Sequence, residues 1–205
     1  MPNGIGSMNA DDIEDITVLK GAKASALYGI RAGNGVVLIT TKKGKSGDIK
    51  VSYNGNFQVS EITQKVDALS SGQFRDFVNA NGTIDPNPTS PTFGKNVHAL
   101  SLGSSDTDWQ DEIYRTALGT DQNISASGGS DNINYRASLG YTNLNGVLLR
   151  DNFERTTLGV SLTGDFFDKH LKVQVNNNTS VIKSNYSNTG AVGAAVGFDP
   201  TQSVK

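Results

Sequence analysis

The amino-acid sequence predicts a mainly β protein: a small α+β unit followed by about five antiparallel strands long enough to cross a bilayer. The first observation is composition. Gly, Asn, Ser and Thr supply 80 of the 205 residues while charged residues are only 19%, which suits strands with one wet face and the turns between them. The second is a change of grammar near residue 48, from short mixed elements to alternating apolar and polar residues. The third is that tight turns alternate with long connections, as when one rim of a sheet carries short turns and the other long loops.

The first unit reads as follows. Asn9 is placed to cap a short helix over Ala10-Asp11-Asp12-Ile13-Glu14, whose acidic residues favour the positive end of the helix dipole. Ile16–Leu19 is a short strand, and the alanine-rich Ala22–Tyr28 a second helix stopped by Gly29. Gly33-Asn34-Gly35 is a turn. Val36–Thr41 has no polar face and is expected to be buried on both sides.

From residue 48 the period is two. Ile49, Val51, Tyr53, Phe57 and Val59 oppose Lys50, Ser52, Asn54, Asn56 and Gln58; Tyr135, Ala137, Leu139 and Tyr141 oppose Arg136, Ser138, Gly140 and Thr142. Leu158, Val160 and Leu162 oppose Thr157, Gly159 and Ser161, Val173 and Val175 oppose Lys172 and Gln174, and Ile124 and Ala126 begin a weaker case. Strands are expected at about 48–60, 121–129, 132–143, 155–167 and 170–182, with tight turns at Gly129–Asn132 and Phe167–His170. Residues 62–120 form one long, irregular connection, as do those after Lys183. Strand length, and Tyr141, Phe153 and Phe166 at strand ends, favour a membrane setting. A soluble β-sandwich or lipocalin-like barrel shares the period, and alternation by itself leaves both open.

Several chemistries are excluded. A formal net charge of −2 gives no reason to expect nucleic acid, and the absence of cysteine removes disulfides, thiolate metal sites and cysteine nucleophiles. The glycines from Gly29 to Gly35 lack the spacing of a dinucleotide fingerprint and the lysine of a P-loop. Asp106, Asp108, Asp111 and Glu112 lack the central glycine of a calcium loop, and Thr107 or Asp108 capping a helix from Trp109 accounts for them. His98 and His170 have no partner nucleophile. No catalytic residue, metal or cofactor is expected, and the chain is read as a non-enzyme. It also has no apolar run of 18 residues, so no transmembrane helix.

The segment from Asp12 to Gly44 is similar to the plug signature of TonB-dependent receptors. It carries Ile16-Thr17-Val18-Leu19-Lys20, an alanine-rich turn ending in Tyr28-Gly29, then Arg31, Gly33-Asn34-Gly35, and an apolar strand ending in Thr40-Thr41-Lys42. Asp108-Trp109-Gln110 with the residues to Ala117, Ser127–Ser130, and Tyr135 with Ser138–Thr142 resemble the SusC/RagA branch of that family. The likeness covers nearly the whole chain and is weakest at 62–105. Gly21 stands where aspartate is common, and Ala32-Gly33 reverses the usual pair.

The resemblance implies that residues 1–47 are the end of a plug domain and 48–205 the first strands of an outer-membrane barrel. Lys20, Tyr28, Gly29, Arg31, Gly33, Asn34, Gly35 and Thr41 would then be plug-signature positions, with Asp108, Trp109 and Gln110 marking the segment before the second strand. It further implies energy from the TonB–ExbB–ExbD complex, a SusD-like surface lipoprotein as lid, and oligosaccharides or peptides as cargo. Lys20 and Arg31 are expected to pair with carboxylates of the barrel wall or lumen. Five strands cannot close where about eight are the minimum, so the signal peptide, the TonB-contacting segment and most of the barrel are expected to lie outside this chain. The alternative is a secreted, soluble carbohydrate-binding module.

Overall fold

The computed structural model describes Gly6 and residues 8–204; residues 1–5, 7 and 205 lie outside the described part. The chain forms two compact units. One comprises Met1–Gln58, Leu118–Asn145 and Asn152–Asn185, the other Val59–Ala117, Gly146–Asp151 and Tyr186–Lys205.

In the first unit, Asn9 accepts a hydrogen bond from the Asp11 amide at 2.9 Å and opens a turn, as expected, but that turn is a single 3-10 turn, Ala10–Asp12. The chain then enters strand β1, Ile13–Leu19, earlier than its sequence suggests, because Ile13 already pairs with Thr41. Helix α1, Ala22–Tyr28, ends at Gly29, whose φ of 75° is a left-handed geometry that glycine adopts without cost. Gly35, at φ 101°, where an added Cβ would crowd the Leu19 carbonyl oxygen at 3.0 Å, leads the chain into strand β2, Val36–Thr41. β1 and β2 pair antiparallel, Val18 opposite Val37 and Ile16 opposite Ile39.

The expectation that β2 is buried on both sides is not met. Val37 and Leu38 are exposed, as are Ile16 and Val18 of its partner. β1 and β2 form a two-stranded sheet of their own, so among the described residues no second layer covers its outer face.

Strands β3 (Gly47–Ser60), β4 (Ala117–Gly129), β5 (Ile133–Asn145), β6 (Asn152–Phe166) and β7 (Leu171–Asn185) form one sheet in sequence order. Each has 13 to 15 residues, more than the mean of about five or six for globular strands. The β4–β5 and β6–β7 connections are tight. In the second, Phe167, Asp168 and Lys169 all take positive φ, the conformation that lets a short hairpin loop follow the twist of its strands.

The second unit is less irregular than its sequence reads. Helix α2, Ser71–Asn81, lies inside the stretch expected to be structureless. It begins with a capping box in which Ser70 and Gln73 each satisfy the other's backbone amide. Helix α3, Trp109–Ile113, is capped by Asp108, which accepts from the amides of Gln110 and Asp111. Helix α4, Gly190–Gly197, follows β7.

Candidate functional site

The site begins with which face of the sheet is covered. Asn123, Ser125, Ser138, Thr142, Thr157 and Ser161 are only 3–8% exposed, whereas Ile124, Leu139, Leu158, Val160 and Leu162 between them are 40–50% exposed. A protein folded in water buries its apolar face and solvates its polar one. This sheet does the reverse. The buried apolar residues among those described are four alanines, Ala24, Ala32, Ala117 and Ala195, too little apolar surface to hold a sandwich together.

Gly6 and residues Met8 to Asp12 lie against the polar face. Asp12, 8% exposed, accepts from Arg136 Nη2 at 3.1 Å and from Ser138 Oγ at 2.8 Å. Arg155 Nη1 donates to the carbonyls of Gly6 at 3.0 Å and Met8 at 3.1 Å, while its Nη2 reaches Thr142. Asn54 donates to Asp11 at 2.9 Å. A burial cost of several kcal/mol per ion is offset only where the partners and their remaining hydrogen bonds are in place, and at Asp12 both carboxylate oxygens are engaged.

No protein-family model matches the chain. It is 44% identical over its whole length to the TonB-dependent receptor SusC of Bacteroides thetaiotaomicron, of which it spans 19%. The chain belongs to the SusC/RagA-type TonB-dependent receptors. It is also 34% identical over 80% of its length to TonB-dependent receptor P3 of Formosa agariphila, covering 15% of that protein. The RagAB peptide importer in its 'closed-closed' state superposes on 88% of the chain with a TM-score of 0.71 at 28% identity, matching 23% of the solved chain. The chain thus spans about a fifth of the relatives it matches.

Within this member of the family, the residues picked from the signature separate into three groups. Gly29 and Gly35 hold left-handed turns, Gly33 and Asn34 occupy the exposed turn between them, and Tyr28 closes α1 half-exposed. Thr41 lines a small hollow of about 10 Å³ together with Asp12, Arg136 and Ser138. Lys20 and Arg31 are exposed, and among the described residues neither makes an ion pair. The contact that is present joins other residues: the carboxylate is Asp12 of the N-terminal segment, and the arginines are on the strands. The readable signal was Arg136 and Arg155, cations on the polar faces of β5 and β6.

Asp108, Trp109 and Gln110 belong to the second unit. Trp109 Nε1 donates to the Asp199 carbonyl at 2.9 Å, and its ring meets Phe198 edge to face at 4.8 Å. Gln110 is buried and pairs with both the N–H and the C=O of Val66, at 3.0 and 2.7 Å. Lys65 forms an ion pair with Asp108 at 3.5 Å and also with Asp111. The Asp108 carboxyl lies below its ordinary range: partial burial pushes it up, but the Gln110 and Asp111 amides and Lys65 together pull it further down. A cavity of about 600 Å³ opens among Lys65, Phe74, Asp106, Trp109 and Phe198. Gln110→Leu would remove both hydrogen bonds to Val66, a loss of about 1–3 kcal/mol at about 0.5–1.5 kcal/mol each. Limited trypsin digestion of the folded receptor is expected to cut at Lys65 about tenfold faster or more in that variant.

Proposed function

We propose that the chain is the end of the plug, residues 1–47, and the first five strands of the wall, residues 48–205, of an importer in the bacterial outer membrane. The parent protein takes up oligosaccharides or peptides, draws energy through TonB–ExbB–ExbD, closes beneath a SusD-like lipoprotein, and catalyses no reaction. One observation carries the reading: the polar face of β4, β5 and β6 is covered, with the N-terminal segment bonded to it, and their apolar face is bare. Leu139, Leu158, Val160 and Leu162 then face lipid, and the remaining wall strands complete the pairing of β3 and β7 that lipid requires. The rest of the plug covers Val37 and Leu38. The tight turns lie on the periplasmic rim, and the long connections leave the strands at the outer one. Likeness to SusC and to a peptide importer supports both cargo classes equally. A soluble carbohydrate-binding module is disfavoured, since its exposed leucines and valines would have to meet water.

The test uses the full-length receptor in lipid vesicles, with nitroxide labels placed one at a time at Leu139, Leu158 and Leu162, and at Ser125 and Ser161. The leucine sites are expected to be reached by oxygen and shielded from a water-soluble relaxant, with the serine sites showing neither property. Strong relaxation of the leucine sites by the water-soluble agent would sink the reading.

A further inference from the structure

The polar face of the sheet is ruled into rows by strand register, and the N-terminal segment descends them one by one. Across β4, β5 and β6 the rows are Asp121–Thr142–Arg155, Asn123–Gly140–Thr157, Ser125–Ser138–Gly159 and Ser127–Arg136–Ser161. Arg155 in the first row holds Gly6 and Met8; Arg136 in the fourth holds Asp12. The two rows between them each contain a glycine. A Cβ on Gly140 would lie 2.3 Å from Asn9 Nδ2 and 2.5 Å from Thr157 Oγ1. On Gly159 it would lie 2.5 Å from Ser138 Oγ, with Asp12 Oδ2 and Asn178 Oδ1 at 3.3 Å.

Hydrogen bonds do not explain where Asn9 sits. Asn9, Asn123 and Thr157 are 3–6% exposed, yet Asn9 Nδ2, Asn123 Nδ2 and Thr157 Oγ1 have no partner among the described residues. Asn9 spends its oxygen on capping Asp11. Its amide nitrogen therefore contributes no bond to the wall, and the place it occupies is defined by the space above Gly140. At the other glycine the situation is mixed. Asp12 is bonded to Arg136 and Ser138, and the missing side chain of Gly159 lets its carboxylate come close enough to reach both.

We propose that Gly140 and Gly159 are positioning residues: a diagonal pair of notches, bracketed by Arg155 and Arg136, that set the register in which the Gly6–Asp12 segment docks on the strands. The proposal rests on the plug-and-wall reading above. Shape selects the register at Asn9, and charge secures it at Asp12. Any return of the segment after displacement must find the same two notches, because shifting it by one row would set Asn9 over Ser138 or Thr142, where side chains fill the space.

The test is made in the full-length receptor with Asp11→Cys and Asn54→Cys, in a background free of other cysteines. These positions are in hydrogen-bond contact, so a short thiol cross-linker reports seating. Heat-modifiable gel mobility reports independently that the barrel is folded. Gly140→Ala and Gly159→Ala are expected to lower cross-linking at least about fivefold in folded barrels and to let large antibiotics leak into cells. Adding Asn9→Ser to Gly140→Ala, which keeps the capping oxygen and removes the amide, is expected to restore cross-linking. Unchanged cross-linking in both alanine variants, or no rescue by Asn9→Ser, overturns the notches. If the parent pair itself fails to cross-link in a folded barrel, the plug-and-wall reading fails first.

Discussion

Asp12→Ala in the full-length receptor is expected to weaken the seating of the N-terminal segment by about 3–5 kcal/mol, the usual loss when one partner of a buried ion pair is removed. Both side chains are nearly out of solvent, at 11% and 13% exposure, so solvent screening does little to soften the change. The variant leaves the largely covered Arg136 guanidinium with no carboxylate in ion-pair contact among the described residues, and it also deprives the Ser138 hydroxyl of its acceptor. Most of the penalty is an unpaired charge and not a lost attraction, so Asp12→Ala combined with Arg136→Met should recover much of it. Urea titration of the receptor, followed by a fluorescent label on the segment, measures both. A single-variant loss under about 1 kcal/mol would mean that the pair behaves as an exposed one. The contact would then not be what holds the segment to the strands.

Leu158→Arg is the second large effect. Leu158 lies on the bare face of β6, between Leu139 of β5 and Thr179 of β7. In lipid, arginine near the bilayer midplane of a barrel costs about 2–4 kcal/mol. In water, the same change at a residue 47% exposed would stay within about 0.5 kcal/mol. Ser180→Arg, on the polar face of β7, is the matched control and is expected to be tolerated, since it meets a wet lumen. Comparing the folded yield of the two variants in detergent and lipid separates a membrane wall from a soluble sheet without reference to transport.

Much of this was readable beforehand. Asn9 and Asp108 announce their caps because short polar side chains at those places have a local job that no distant contact overrides. The tight turns and the five-strand sheet follow from period and turn residues in the same local way. α2 was also readable and was passed over: Ser70 followed three residues later by Gln73 is a capping-box signature hidden in a stretch dominated by loop-forming residues. The exposure of β2 was not readable. A run such as Val36–Thr41 says that both faces are meant to be covered, but not by which part of a protein.

The same division runs through the site. Sequence by itself determined that the strands have two unlike faces, because side-chain alternation is a property of the backbone. It did not determine which carboxylate Arg136 meets. Asp12 and Arg136 are 124 residues apart, and no local rule couples residues at that distance. Strand register alone brings Gly140 opposite Thr157 and Gly159 opposite Ser138. Only the tertiary structure lays Gly6–Asp12 across those rows, and with that the polar face, not the apolar one, becomes the inside.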